Sequence, residues 1–180
     1  FLGWYAVDGT NYVLSNVDDT ITGTEASTDT AITADTTYHA IWASNVMIAA
    51  GYAADASGKT TMSAISAPAK LQTLITDCNN GKVKLLSDVD LGSNHIEIAQ
   101  GKAISLDLNG KTLSSTDSDR PFIKGTVACG TVYVDQGTLI LYSSAAEKGT
   151  VHYTFTGTGR WSSDGWGAVE NVAGTIPVMK

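Results

Sequence analysis

Charge is scarce in this chain. Asp, Glu, Lys and Arg together make up 16% of its residues, where a soluble domain carries about a quarter. The basic half is the scarcer one: 11 Lys and Arg stand against 18 Asp and Glu, a net charge of −7. Binding a phosphate backbone takes clustered Lys and Arg, so the balance argues against nucleic acid and against an anionic membrane surface. No apolar run reaches the length of about eighteen residues that a membrane-spanning helix needs, so no membrane insertion is expected. A secretory signal is also missing. The chain opens on Phe1 rather than Met, as a fragment or a processed product would, so the missing signal leaves secretion open. Cys78 and Cys129 are the only cysteines, too few for a disulfide framework and too isolated for a thiolate metal site. Two states stay open for them: free buried thiols, or one Cys78–Cys129 bridge.

Catalytic signatures are missing as well. The sequence has no His-x-x-x-His, no Cys-x-x-Cys, no Gly-x-Ser-x-Gly, no P-loop and no dinucleotide glycine pattern opening a helix. His39, His95 and His152 lie far apart, and no zinc site is expected from them. Asp88, Asp90 and Asp107 fall in or beside strand runs, and Asp117, Asp119 and Asp135 near turns. A polysaccharide lyase would gather such carboxylates around calcium, and a hydrolase would point two or three of them into one groove. Asp88 and Asp90 would share a strand face at ~7 Å spacing. They alternate with Val89 and Leu91, however, which is the pattern of solvated outward acids. Asp117-x-Asp119-Arg120 before Pro121 reads as an exposed polar turn. No metal and no cofactor is expected.

What is abundant is apolar residues, at 43%, and glycine, at 18 residues, with much Thr, Ser and Ala. That composition suits a β-rich extracellular chain. Residues 82–115 read as short strand runs broken by Gly and Asn, and one phrase partly recurs. Leu85-Leu86-Ser87-Asp88-Val89 is answered by Ile104-Ser105-Leu106-Asp107-Leu108 and by Leu139-Ile140-Leu141-Tyr142, with 21 residues from Leu85 to Leu106 and 34 from Leu106 to Ile140. A strand at each beat of such a period points to a solenoid. Strands are expected near 83–89, 95–99, 103–108, 122–128, 131–135, 138–143 and 150–156. Ahead of them Pro68 opens a helix. Leu71, Leu74, Ile75 and Cys78 form its apolar stripe, and Asn79-Asn80-Gly81 ends it, with Gly81 suited to the left-handed cap. Such a helix would cover the apolar end of the first coil. A competing pattern stays open: Leu108-Asn109-Gly110-Lys111 is a strong hairpin signal and Gln136-Gly137 a second turn, which would build an antiparallel meander or sandwich.

The first forty residues read differently. Phe1, Trp4 and Tyr5 make a dense aromatic start, and Asp8-Gly9 a turn. Tyr12-Val13-Leu14 suits a strand, and 15–34, polar and without a hydrophobic period, suits a long loop. Residues 37–42 alternate, with Tyr38, Ala40 and Trp42 on one face and Thr37, His39 and Ile41 on the other. Trp4 and Trp42 are expected to pack together in a small core. Residues 44–66 read as a connector, with Val46-Met47-Ile48 as a short strand.

Two stretches carry resemblances. Phe1, Gly3, Trp4, Tyr5, Gly9, Tyr12, Asp35, Thr36, Thr37, Ala40 and Trp42 resemble the C-terminal half of a Listeria–Bacteroides repeat, also called the internalin B-repeat. This is a small β-grasp-like module found in tandem on bacterial surface proteins. The loop at 15–34 is longer than the family pattern. Residues 70–156 resemble the N-terminal end of pectate-lyase-like right-handed parallel β-helix domains of bacterial surface proteins. There the resemblance rests on the helix, Asn80-Gly81, the run from Val83 to Val89, Gly101-Lys102, the run from Leu106 to Leu113, and Gly137-Thr138-Leu139-Ile140.

The expected architecture is all-β. It comprises a partial β-grasp-like repeat at 1–43, a connector at 44–66, and at 67–180 a capping helix with a short right-handed parallel β-helix. About three coils are near the minimum for a solenoid, so continuation beyond Lys180 is expected. The expected function is non-enzymatic: a segment of a bacterial cell-surface or secreted protein, displayed outside the cell or on its wall, acting as spacer, adhesin or glycan-binding module. The candidate partners are cell-surface or dietary glycans, or a host surface protein. The rival is a fragment of a β-helix polysaccharide lyase or glycoside hydrolase. The ligand-binding candidates are Trp161 and Trp166, set in a Gly/Ser loop with Arg160 and Asp164. Exposed indole faces stack on sugar rings, and the charged neighbours can bond hydroxyls. The same two Trp could instead fold back over the open end of the coil stack.

Overall fold

Alternating side chains and frequent Gly and Asn breaks give many short strands. The computed structural model describes residues 1–26, 35–117, 131–134, 136–155 and 173–177. In chain order the first strands are β1 (Gly3–Val7), β2 (Val13–Leu14), β3 (Thr20–Glu25), β4 (His39–Ala43), β5 (Ala49–Ala54) and β6 (Thr60–Ile65). A 3-10 turn (Pro68–Lys70) leads into the helix α1 (Leu71–Asp77). Then follow β7 (Gly81–Leu85), β8 (Val89–Asp90), β9 (Ile96–Ile98), β10 (Ala103–Asp107), β11 (Thr112–Asp117), β12 (Val132–Val134), β13 (Thr138–Tyr142), β14 (Thr150–Phe155) and β15 (Ala173–Pro177). The fold is all-β with one short helix among the described residues.

From β7 to β14 the strands recur in sets, two triplets (β7–β9 and β10–β12) followed by β13 and β14, and each set lies parallel on the one before. β7, β10 and β13 form one parallel ladder, β8, β11 and β14 a second, and β9 and β12 a third. β15 runs antiparallel along β14. The consecutive strands β10 and β11 pair with other triplets and not with each other, so 108–111 is a corner. The antiparallel meander is thereby overturned for this region. Asn109 and Gly110 do take the positive φ values, 48° and 73°, that a tight hairpin would need. The backbone turns as the sequence suggests, but its bonds reach to neighbouring triplets. Asn109 Nδ2 donates to Leu85 O at 2.9 Å, and Gly110 N donates to Ser143 Oγ at 2.9 Å.

The register differs from the sequence period. Leu106 lies opposite Val83 and Leu141, spacings of 23 and 35 residues. The recurring phrase suggests 21 and 34. The first discrepancy is two residues and keeps the inward face; the second is one residue and reverses it. Leu141 therefore follows Leu106 inward, and Ile140 is 58% exposed. The inward residues of the three ladders, among them Val83, Leu85, Val89, Ile96, Ile98, Ile104, Leu106 and Leu113, form one core with Leu71, Leu74, Ile75 and Cys78 of α1. The helical stripe is the one its spacing predicts, and Cys78 is a free, buried thiol. Cys129 and the strand expected at 122–128 lie outside the described residues.

The helix ends differently from expectation. Asn80, at φ 61°, takes the left-handed position, a role that suits Asn as well as Gly. Gly81 serves close approach instead: a Cβ there would lie 2.1 Å from Tyr52 O. Helix α1 also blunts the first triplet. Gln72 Nε2 donates to Glu97 O at 3.0 Å and Glu97 N donates to Gln72 Oε1 at 2.8 Å, so the carboxamide stands where a neighbouring strand would pair with β9.

Residues 44–66, read from sequence as a connector, contain the hairpin β5–β6. β5 pairs with β7 and β6 pairs with β3. One nine-stranded sheet, in the order β13-β10-β7-β5-β6-β3-β1-β4-β2, therefore runs from the triplets into the N-terminal strands. The signal was weak because β5 is built of Ala, Gly and one Tyr. Likewise the polar stretch 15–34 contains β3, which turns only Ile21 and Gly23 inward between outward Thr side chains. A second core gathers Leu2, Tyr5, Leu14, Ile21, Ile41, Met47, Ala50, Tyr52, Met62 and Ala64. Alternate residues of β5 enter different cores, Ala49 the first and Ala50 and Tyr52 the second.

Candidate functional site

The N-terminal strands sort their aromatics by parity. In β1, Tyr5 is wholly buried while Trp4 is 53% exposed; in β4, Ile41 is wholly buried while Trp42 is 49% exposed. Trp4 lies opposite Ala40, and Trp42 opposite Val13, so the indoles share the outer face of the sheet. This corrects the expectation of a core built on Trp4 and Trp42. Alternation in 37–42 offers two apolar faces, and Ile41 won the inner one. Phe1 sits between the indoles, its ring centroid 5.8 Å from Trp4 and 5.2 Å from Trp42, with interplanar angles of 65° and 60°. With each ring about half exposed, the patch presents on the order of 300 Å² of aromatic surface, the size at which surface patches are often functional.

Hydroxyls continue the same face. Ala6, two residues after Trp4, lies opposite Thr24, which places Thr20, Thr22 and Thr24 outward on β3. Thr22 lies opposite Thr61, and Thr20 opposite Ser63. Thr22 and Thr61 share a hydrogen bond of 3.0 Å between their hydroxyls. At the margin Lys59 Nζ donates to Asp8 at 2.8 Å in an exposed ion pair. A row of rings beside rows of Thr and Ser can stack against flat apolar surfaces and bond hydroxyl groups. Sequence reasoning missed this face because it assigned β3 to a loop and β6 to a connector.

The acids do something else. Asp88 Oδ1 accepts from Thr112 N at 2.8 Å, and Asp90 Oδ1 from Gly92 N at 2.9 Å. Asp107, 2% exposed, accepts from Asn109 N at 2.9 Å and Ser144 N at 2.8 Å. Each carboxylate holds a corner, and Asp88 and Asp107 each tie one triplet to the next. Val89 and Leu91 are buried and Asp88 and Asp90 exposed, as their alternation predicts. Among the described residues no group of three or more His, Cys, Asp or Glu is placed to hold a metal ion. His39 stacks on Tyr12 at 4.1 Å, and His152 shares a 2.9 Å hydrogen bond with Thr154. Trp161, Trp166, Arg160 and Asp164 lie outside the described residues, as do Asp119, Arg120 and the Gly157-Thr158-Gly159 turn.

A concavity of about 400 Å³ lies between α1 and the β9–β10 corner. Ile75, Ile98, Ile104, Ala99 and Ala103 line it together with Gln72, Thr76, Asn79, His95, Glu97 and Lys102. No helix among the described residues is long and apolar enough to cross a membrane. Compared with protein-family models, with curated proteins and with solved structures, the chain gives no match.

Proposed function

We propose that this chain is a non-enzymatic, extracellular segment of a bacterial surface or secreted protein, and that it binds glycans on the outer face of its N-terminal sheet. The observation that carries the reading is the exposed Phe1–Trp4–Trp42 cluster beside the Thr20, Thr22, Thr24, Thr61 and Ser63 rows. Ring faces suit the C–H faces of pyranoses, and neighbouring hydroxyls suit their polar rims. The fold reading beneath it is a short right-handed parallel β-helix capped by α1 and joined through β5–β6 to a partial β-grasp-like repeat. Its supports are the three parallel ladders and the strong right-handed preference of parallel crossovers. Such a stack makes a stiff spacer that holds the aromatic face away from an anchoring surface. The corner bonds of Asp88, Asp90 and Asp107 speak for structural carboxylates over those of a lyase or hydrolase.

The test is a glycan-array screen followed by tryptophan-fluorescence titration of any hit. Binding that disappears in Trp4→Ala and Trp42→Ala but survives in Trp161→Ala and Trp166→Ala is the expected result. Loss only in the Trp161 or Trp166 variants would move the site to the 160–166 loop. A blank array would leave the chain a spacer and refute the glycan reading.

A further inference from the structure

The groove between α1 and the β9–β10 corner shares no residue with the aromatic face. Its walls are pinned from several sides. Gln72 is tied to the backbone of Glu97 by two hydrogen bonds. Ala103 N donates to Asn79 Oδ1 at 3.1 Å, and Asn80 N donates to Ala103 O at 2.7 Å. Lys102 N donates to Ala99 O at 3.1 Å, and Thr138 N to Lys102 O at 2.8 Å. A cavity braced in this way is present before any ligand arrives, and a preformed site loses little to ordering when it is filled.

Three rim groups have no partner among the described residues. Among the described residues Lys102 Nζ makes no ion pair or hydrogen bond, the Glu97 carboxylate makes none, and the amide nitrogen of Asn79 makes none; the backbone of Glu97 and the Oδ1 of Asn79 are engaged. Glu97 and Lys102 carry opposite charges and line the same cavity, yet they do not meet within ion-pair distance. The apolar part of the lining is aliphatic, from Ile75, Ile98, Ile104, Ala99 and Ala103, and holds no Trp, Tyr or Phe on which a sugar would stack.

We propose that this groove binds a small aliphatic zwitterion, with its ammonium at Glu97, its carboxylate at Lys102 and Asn79, and its hydrocarbon body against the isoleucine and alanine lining. The matching of opposite charges selects against molecules bearing one charge, because each would leave one rim group facing a partner that does not answer it.

The experiment is a two-dimensional amide NMR titration of the whole chain with L-leucine and with 6-aminohexanoate, whose charges lie closer together and farther apart respectively. Leucinamide and 4-methylpentanoate serve as single-charge controls. Expected are shifts confined to amides of 72–79 and 95–104 for at least one zwitterion, with each single-charge analogue about tenfold weaker. Lys102→Met and Glu97→Gln, both changes of solvent-facing groups, should lower zwitterion affinity about tenfold and leave the analogue missing the corresponding charge unaffected. Trp4→Ala should change nothing here, which separates this site from the glycan face. Absence of shifts with both zwitterions, or equal binding of zwitterion and single-charge analogues, overturns the proposal.

Discussion

Replacing Leu106 by Ala tests whether the parallel triplets share one tightly packed interior. Leu106 is wholly buried, sits mid-strand in β10, and is flanked across both ladder neighbours by Val83 and Leu141. Removing its outer carbons loses about 2 kcal/mol of burial at roughly 0.8 kcal/mol per methylene-sized group. The neighbours belong to a hydrogen-bonded ladder on both sides and cannot easily close the gap, so a cavity cost of about 1–2 kcal/mol adds to it. The sum, about 3–4 kcal/mol, corresponds to a fall in Tm of roughly 6–16 °C for a chain of this size. The matched control is Ile140→Ala. Ile140 lies on the same ladder opposite Ser105, but it faces solvent, and its truncation should cost under about 0.5 kcal/mol. Both are read by urea unfolding followed through tryptophan fluorescence, with m unchanged. A loss below about 1 kcal/mol for Leu106→Ala, or equal losses for the two variants, would refute both the shared interior and the 35-residue register.

Two further outcomes follow from close packing at the junction with α1. Gly81→Ala places a methyl against Tyr52 O, 2.1 Å from the ideal Cβ position, and should cost about 2 kcal/mol or more. Gly9→Ala, with nothing near its Cβ, should stay within about 0.5 kcal/mol, and thermal circular dichroism compares the two. Burial pushes the Cys78 thiol up from 9.0 to about 11, so the folded state favours the protonated form. The stability this gives is complete below pH 9 and is lost as pH rises toward 11. In a Cys129→Ser background Cys78 should therefore resist a thiol-specific disulfide reagent at pH 8 until the chain unfolds, and rapid native labelling would contradict its placement.

Some of this molecule is readable from residues alone. Leu71, Leu74, Ile75 and Cys78 announce α1 because a helix facing one core repeats its apolar residues at fixed spacing. Leu106 and Val83 announce strands, yet their pairing is hidden. The corners between strands vary in length, so the repeat is not periodic, and register follows the inward face and not the best-matching phrase. β3 and β5 escaped notice because Thr, Ala and Gly can fill a strand whose large partners come from elsewhere. Tyr5 and Met62 supply the bulk that Gly23 and Ala50 lack. The aromatic face was half legible: the period-two pattern around Trp42 is plain, but its direction depends on which of two apolar faces finds a core. Asn79, Glu97 and Lys102 gave no local signal, since the helix end, one strand and a corner meet only when the first triplet closes.

The strand β5 has a consequence for how the chain can be divided. Its successive side chains belong to two interiors on opposite sides of one sheet, Ala49 to one and Ala50 to the other, and its edges bond β6 and β7. A cut after β6 strips β7 of its antiparallel neighbour, and a cut before β5 removes the floor of the second core. At the far end β15 already occupies the outer edge of β14, and at the near end the N-terminal strands cannot be exchanged as a detachable bead. A single cooperative unfolding transition, seen alike by fluorescence and circular dichroism, is the expected result.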